Sequence, residues 1–277
     1  MSNAPDGVIT LTGSQPGKTV TIMGGVHGDE VCGVQIIDKL RRNLKVDRGT
    51  VHLIYGNPRA IQAGKRFVEV NLNRVFREPS ELNEKQGVSY EAKRARELMP
   101  YLVASDALLD IHSSNTPDSP PFVICEANSY ELAKHFPFAT ISSGWDVLEP
   151  GGTDAYVNTG GGQGITVECG YHLDPKAPEI AEETAWEFLK LMGAIDGEQP
   201  LPKVPIQTHI QVWHIHITKH NFRPARVFQD FEWLQPNELI GHDGDEQVMA
   251  PAASCILFCR KREDPGEEAF LLGRKMD

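Results

Sequence analysis

The chain has no apolar run long enough to cross a membrane; its longest hydrophobic stretches are short and broken by glycine, histidine or charge. It has no excess of basic residues either. Lys and Arg number 27 against 38 Asp and Glu, a formal charge of −11, which argues against nucleic acid as a partner. Cysteines are few, odd in number and irregularly spaced (Cys32, Cys125, Cys169, Cys255, Cys259), so neither a disulfide framework nor a Cys-x-x-Cys metal pair is expected. Reduced thiols in a cytoplasm are the simplest expectation. "MSNAPDGVITL" has no basic n-region followed by an apolar core, so no secretory signal is expected. Internal repeats and low-complexity tracts are absent. What is there is an ordinary globular composition, 40% hydrophobic and 23% charged over 277 residues, enough for one large domain with a small appendage.

Residues 18–24 ("KTVTIMG") and 50–56 ("TVHLIYG") are β-branched runs ended by glycine and predict buried strands. Between them Val31, Val34, Ile37 and Leu40 recur at helical spacing, predicting a helix over 30–44. A strand–helix–strand unit favours a parallel sheet covered by helices. Further helices are expected at 89–103 and 178–193, and strands at 106–112, 121–126 and 164–169. The fold class is therefore α/β, a mixed, mostly parallel sheet flanked by helices. "DGEQPLPKVPI" at 196–206 predicts a proline-punctuated linker, after which the pattern turns strand-like. The expected division is a catalytic α/β domain over 1–198 and a small C-terminal β domain over 207–277.

In "GGVHGDE", His27 and Glu30 stand three residues apart just after a predicted strand. The carboxyl edge of an open α/β sheet is where ligands bind, and imidazole and carboxylate are both zinc ligands. Alone, the pair equally fits a loop histidine and a first-turn acid favoured by the helix dipole. His112, ending the strand of "LLDIHSSN", is the candidate third ligand, with Asp110 on the same side of the strand to orient it. "GNPRAIQAGKRFVEVNLNRVF" concentrates Arg59, Arg66, Asn73 and Arg74, suited to gripping a carboxylate, although Arg59 also fits a solvated loop. In "GQGITVECGYH", Glu168 ends an apolar strand, where desolvation would raise its pKa and suit it to general base work. A strand-end glutamate paired with a surface lysine is the alternative. His209, His214, His216 and His220 crowd one strand-like segment and are expected to face solvent or a domain seam. "GHDGDE" at 241–246 is expected to be a hairpin turn.

Taken in order, "GGVHGDE", "NPRA", "RFVEVNLNR", "DIHSSN" and "ITVECG" resemble the succinylglutamate desuccinylase/aspartoacylase branch of the zinc carboxypeptidase-like superfamily, over most of residues 18–195. The resemblance implies one Zn²⁺ per chain held by His27, Glu30 and His112, with Arg66 polarising the scissile carbonyl. It implies Asn73 and Arg74 on the α-carboxylate, Glu168 as catalytic base, and a C-terminal β domain at the pocket entrance. The implied reaction is hydrolysis of the amide of a small anionic N-acyl amino acid. A metallocarboxypeptidase acting on a short peptide and a non-catalytic binding protein on the same scaffold are the alternatives, and a homo-oligomer is left open. Two departures stand out. Asn71 occupies the position of an acid in the family's "DLNR". The tyrosine and arginine that bind the acyl carboxylate before the catalytic glutamate are matched by Tyr156 alone. A succinyl group or an aspartate side chain thus lacks its expected partner.

Overall fold

The β-branched runs and their glycine stops form strands as their residues demand. In this computed structural model residues 4–198 and 207–276 are described. Strands β1 (Val8–Thr12), β2 (Gln15–Gly24), β3 (Arg48–Tyr55), β4 (Ala107–Ser114), β5 (Phe122–Cys125), β6 (Thr140–Ser143) and β7 (Gln163–Tyr171) alternate with helices. The helices are α1 (Val31–Asn43), α2 (Pro58–Ala63), α3 (Glu84–Val88), α4 (Tyr90–Val103), α5 (Tyr130–Ala133), α6 (Trp145–Leu148), α7 (Thr153–Thr159) and α8 (Ala177–Leu191). The remaining strands are β8 (Thr208–Ile217), β9 (Phe222–Pro224), β10 (Glu232–Leu234), β11 (Leu239–Asp243), β12 (Glu246–Met249), β13 (Ser254–Leu257) and β14 (Glu268–Lys275). The eight segments expected from the sequence are all present, with ends shifted by a few residues. β1, β6 and the short helices were not legible. They are brief, and β1 is an edge strand exposing alternate residues.

The main sheet has eleven strands in the order β1-β3-β2-β4-β7-β5-β6-β8-β14-β13-β10. Its centre, β3-β2-β4-β7, is parallel, whereas β1 and β5 run antiparallel to their neighbours β3 and β7. α1 and α8 cover one face over a core of Ile22, Ile37, Leu40, Leu109 and Phe188; α4 and α7 cover the other with Leu98, Leu102 and Val157. Both faces are thus dry, which is why β4 is buried at every position.

Residues 207–276 extend this same sheet. β8 pairs with β6 in parallel, Ile141 opposite His209, and β14, β13 and β10 follow antiparallel. They also carry their own apolar cluster around Phe222, Phe228, Ile256 and Phe270, next to a small sheet β12-β11-β9. Of the expected linker 196–206, residues 199–206 lie outside the described residues. "GHDGDE" is the β11–β12 hairpin, turning at Gly244 with φ +63°. His216 stacks on Phe270 and lies 3.2 Å from Asp243 Oδ2, so it packs at a seam between the two sheets. Among the described residues no helix is long and apolar enough to cross a membrane.

Candidate metal centre and active site

Three parallel strands end at one edge of the sheet, and the chemistry collects there. β2 stops at Gly24, whose lack of a side chain matters. A Cβ there would stand 2.5 Å from the Gly33 carbonyl carbon, so α1 could not close onto the strand. The intervening turn carries His27, and Glu30 forms the N-terminal boundary of α1. Gly28 passes against α2, where a Cβ would meet the Ala60 carbonyl carbon at 2.1 Å. Asp110 and His112 lie on β4 with a period of two, so both point to one face, and His112 is in register with Glu168 on β7.

His27 Nδ1 lies 2.8 Å from Glu30 Oε1, and His112 Nδ1 lies 2.9 Å from Glu30 Oε2. All three side chains are buried and their donor atoms fall within 4.8 Å of one another. The far nitrogens face acceptors. Asn71 Oδ1 is 3.0 Å from His27 Nε2, and Asp110 Oδ2 is 3.0 Å from His112 Nε2, though out of line for a hydrogen bond. A proton on each Nε2 leaves a lone pair on each Nδ1, the tautomer a metal ligand needs. Asn71, the departure from the family pattern, thus accepts where an acid would. Burial, reinforced by Arg66, pushes His27 down to about 4, keeping it neutral. Although burial opposes it, Asp110 and Glu30 raise His112 well above its ordinary value. The two carboxylates thus call for positive charge there, which a proton or a divalent cation on the Nδ1 side supplies. Two imidazoles and a carboxylate, buried together, fit a metal ion of the zinc type.

Glu168 shares the cavity. Burial, with the Glu30 charge added, pushes its carboxyl up to about 8, and its Oε2 makes no hydrogen bond. Arg66 donates from Nη1 to Glu30 Oε1 at 3.0 Å and also lines the cavity. Its loop is held from below by Glu91 of α4, whose carboxylate accepts from the backbone of Val68 (2.7 Å), Glu69 and Val70 (3.2 Å each).

Asn73 and Arg74, the residues expected to grip a carboxylate, both line the cavity and both have partners within the chain. Asn73 lines the cavity, but its Oδ1 accepts from Thr153 N at 3.1 Å. Arg74 is engaged by Glu149 and, at 3.4 Å, by Glu268 of β14. Those partners are 75 and 194 residues distant, so no local pattern could have announced them. Tyr156 does not line this cavity. It sits further along α7 in a separate groove with Phe76 and Pro150. Arg59 stacks on the Tyr90 ring 4.5 Å away, outside the cavity, and Tyr171 and His172 are not among its lining residues. Cys169 is core, as expected.

The resemblance placed a C-terminal β domain at the pocket entrance, but sequence reasoning named none of its residues there. Phe228, Phe258, Arg260 and Glu268 all line the cavity. Arg260 is largely buried, makes no ion pair among the described residues, and has an Nε without a partner. Burial and the neighbouring Arg262 and Arg66 lower its pKa to about 10, the signature of a guanidinium short of anions.

The fold and this donor set place the protein among α/β proteins with a histidine–glutamate–histidine centre at the carboxyl edge of the sheet. Comparison with known proteins is more specific. Residues 16–189 match the model of the succinylglutamate desuccinylase/aspartoacylase catalytic domain, and the chain belongs to that family. It is similar to a probable aspartoacylase of Nostoc, 36% identical over 103 residues, 34% of this chain and 35% of that protein. It is also similar to the succinylglutamate desuccinylase of Vibrio vulnificus strain CMCP6, 23% identical over 299 aligned positions, 96% of this chain and 83% of that one. The X-ray structure of the Vibrio parahaemolyticus succinylglutamate desuccinylase superposes with a TM-score of 0.75 at 20% identity, covering 98% of this chain and 86% of that one. The family's name points to deacylase hydrolysis.

Proposed function

We propose that the protein is a zinc-dependent hydrolase that cleaves the amide bond of an N-acyl amino acid. The observation that carries this is the register of β4 and β7, which sets Glu168 beside His112 at the rim of the three-ligand cluster. His27, Glu30 and His112 would hold the metal; when bound, it supplies Lewis acidity toward a carbonyl and acidifies water. The chain's own groups do the rest. Glu168, held up to about 8, accepts a proton from the attacking water and returns it to the departing amine nitrogen. Arg66, fixed through Glu30, offers N–H groups to the carbonyl oxygen as negative charge grows on it. Asn73 and Arg260 face the substrate's carboxylate, whereas Arg74, tied to Glu149 and Glu268, fixes the wall behind them. Residues 207–277 act as the unit that closes the pocket. Free cysteines fit a reducing compartment.

Glu168→Gln is the decisive variant. It is expected to retain the metal at wild-type stoichiometry by elemental analysis while kcat falls by about 10²–10⁴. Near-normal turnover in that variant removes Glu168 from the mechanism.

A further inference from the structure

The cavity continues past the metal ligands along β7, toward the interior of the sheet. Gly164, Thr166 and Glu168 share one face of that strand. Gly164 lets α7 lie directly on it; a Cβ there would stand 2.4 Å from the Asp154 carbonyl oxygen. The helix therefore brings Asp154 to the cavity wall that Thr166, one step along the strand face from Glu168, also lines. Thr153 Oγ1, its neighbour, donates to Asp110 Oδ2 at 2.5 Å, and Asp110 is in register with Thr166. Asp146 of α6 closes the same wall, linked to α7 through Asn158 Nδ2 at 3.3 Å.

This inner wall is acidic and short of cations. Asp154 is 6% exposed, and neither it nor Asp146 forms an ion pair with lysine or arginine among the described residues. Thr166 is 4% exposed, lines the cavity, and its hydroxyl has no hydrogen-bond partner. Ile124 and Trp145 line the same stretch and limit water there. A buried carboxylate, a half-buried one beside it and an unpaired hydroxyl are retained at a cost to the fold, and a donor-rich cation would relieve all three. Burial first, then repulsion from Asp146, lifts Asp154 to about 7, as expected of an acid awaiting a partner. The opposite wall has the reverse character, with Arg66 and Arg260 present and only Arg66 bonded to a carboxylate. A second substrate carboxylate would meet Asp146 and Asp154 instead of an arginine, and the segment between Gly151 and Gln163 contains none.

We propose that Asp146, Asp154 and Thr166 form an ammonium subsite, so that the preferred substrate is an N-acyl amino acid carrying a second, cationic amine. The inference deepens the deacylase reading and rests on it for the identity of the scissile bond. Two measurements on the zinc-loaded full chain separate them. The first is calorimetric titration with free ornithine, its neutral counterpart norvaline, and glutamate, then with diamino acids one methylene shorter and longer. The best diamino acid is expected to bind at least about 10-fold tighter than norvaline, a difference of ~1.4 kcal/mol, with glutamate weakest. Asp154→Asn is expected to bring the ornithine-to-norvaline ratio close to one, while Asp154→Glu retains part of it. The second is turnover of the N-acetyl derivatives of the same amino acids. Discrimination in binding without any turnover supports the subsite and overturns the deacylase reading. Turnover that favours the neutral or acidic derivatives overturns the subsite and leaves the deacylase reading standing. Flat or absent binding across the diamino series on the wild-type protein overturns the subsite whatever the variants do.

Discussion

Asp154 shows how a single side chain can be unfavourable for the fold. Its carboxyl is raised from 3.8 to about 7, chiefly by burial, with Asp146 and Asp110 adding repulsion and His112 partly offsetting them. The unfolded chain therefore gives up this proton more readily than the folded one. The sign follows directly: the group costs nothing below pH 3.8, and stability is lost as pH rises from there to about 7. Asp154→Asn should accordingly stabilise the free protein at pH 8 by on the order of 2–4 kcal/mol, since each pKa unit is worth ~1.4 kcal/mol. The gain should vanish near pH 3.5. Paired urea melts at the two pH values read it, and equal stability of the two proteins at pH 8 would refute the assignment. His27, Glu30 and Glu168 are different in kind. Their residue types were legible from the sequence, because ligand and acid–base chemistry restricts the choice of side chain, although β7 runs on past Glu168 to Tyr171 instead of ending there. Tyr156 and Arg74 were not, since a helix phase and two distant glutamates decide what they touch.

Among the elements, α4 does the most to support the site while touching no part of it. Its first turn carries Glu91, which takes three loop amides and Asn57 Nδ2 (3.1 Å), and its second carries Arg94, which donates to the carbonyls of Tyr55 and Gly56 at 2.9 Å. One helix thus fixes both the end of β3 and the loop that presents Arg66 and Asn71. Glu91→Ala would leave those part-buried amides and the buried Asn57 Nδ2 without their acceptor, and a fully buried unpaired donor costs roughly 1–3 kcal/mol. The expected result is a loss of about 3 kcal/mol in denaturant melts, with faster protease cleavage between residues 65 and 71. An unchanged cleavage rate would show that the loop holds itself. The helix itself was predictable from its apolar spacing, and its role was not. Glu91 reads as an ordinary first-turn acid until the loop is folded over it.

For the whole molecule, continuity of the sheet is the governing feature. β6 is covered on its far side only by β8, and Phe122, Ile124 and Trp145 pack against Ile210, Val212, Leu257 and Leu271. Asp230, from the C-terminal part, accepts hydrogen bonds from Ser114 (3.2 Å), Thr116 (3.3 Å) and Ser119 (2.6 Å) just beyond His112. A chain ending at residue 198 would expose an unpaired strand edge beside an apolar surface, a combination prone to aggregation. Its soluble yield is expected to fall at least about tenfold, in line with the several kcal/mol that so much exposed apolar surface forfeits. A soluble monomer with native circular dichroism would show instead that residues 4–198 fold alone.

What the sequence determined by itself is the alternation of buried strands and amphipathic helices and the residue types of the His27–Glu30–His112 cluster and of Glu168 beside it. Each is a local pattern: a period, a glycine stop, or a residue type in or just after a strand. Only the tertiary structure decided the charge map of the pocket. Arg74 is paired with Glu149 and Glu268 in the cavity wall, Arg260 arrives from the segment after β13, and Gly164 lets α7 bring Asp154 to the wall that Thr166 also lines. The physical reason is that electrostatics in a dry cavity acts across a few ångströms of space, whereas the groups that meet there are separated by up to 194 residues of chain.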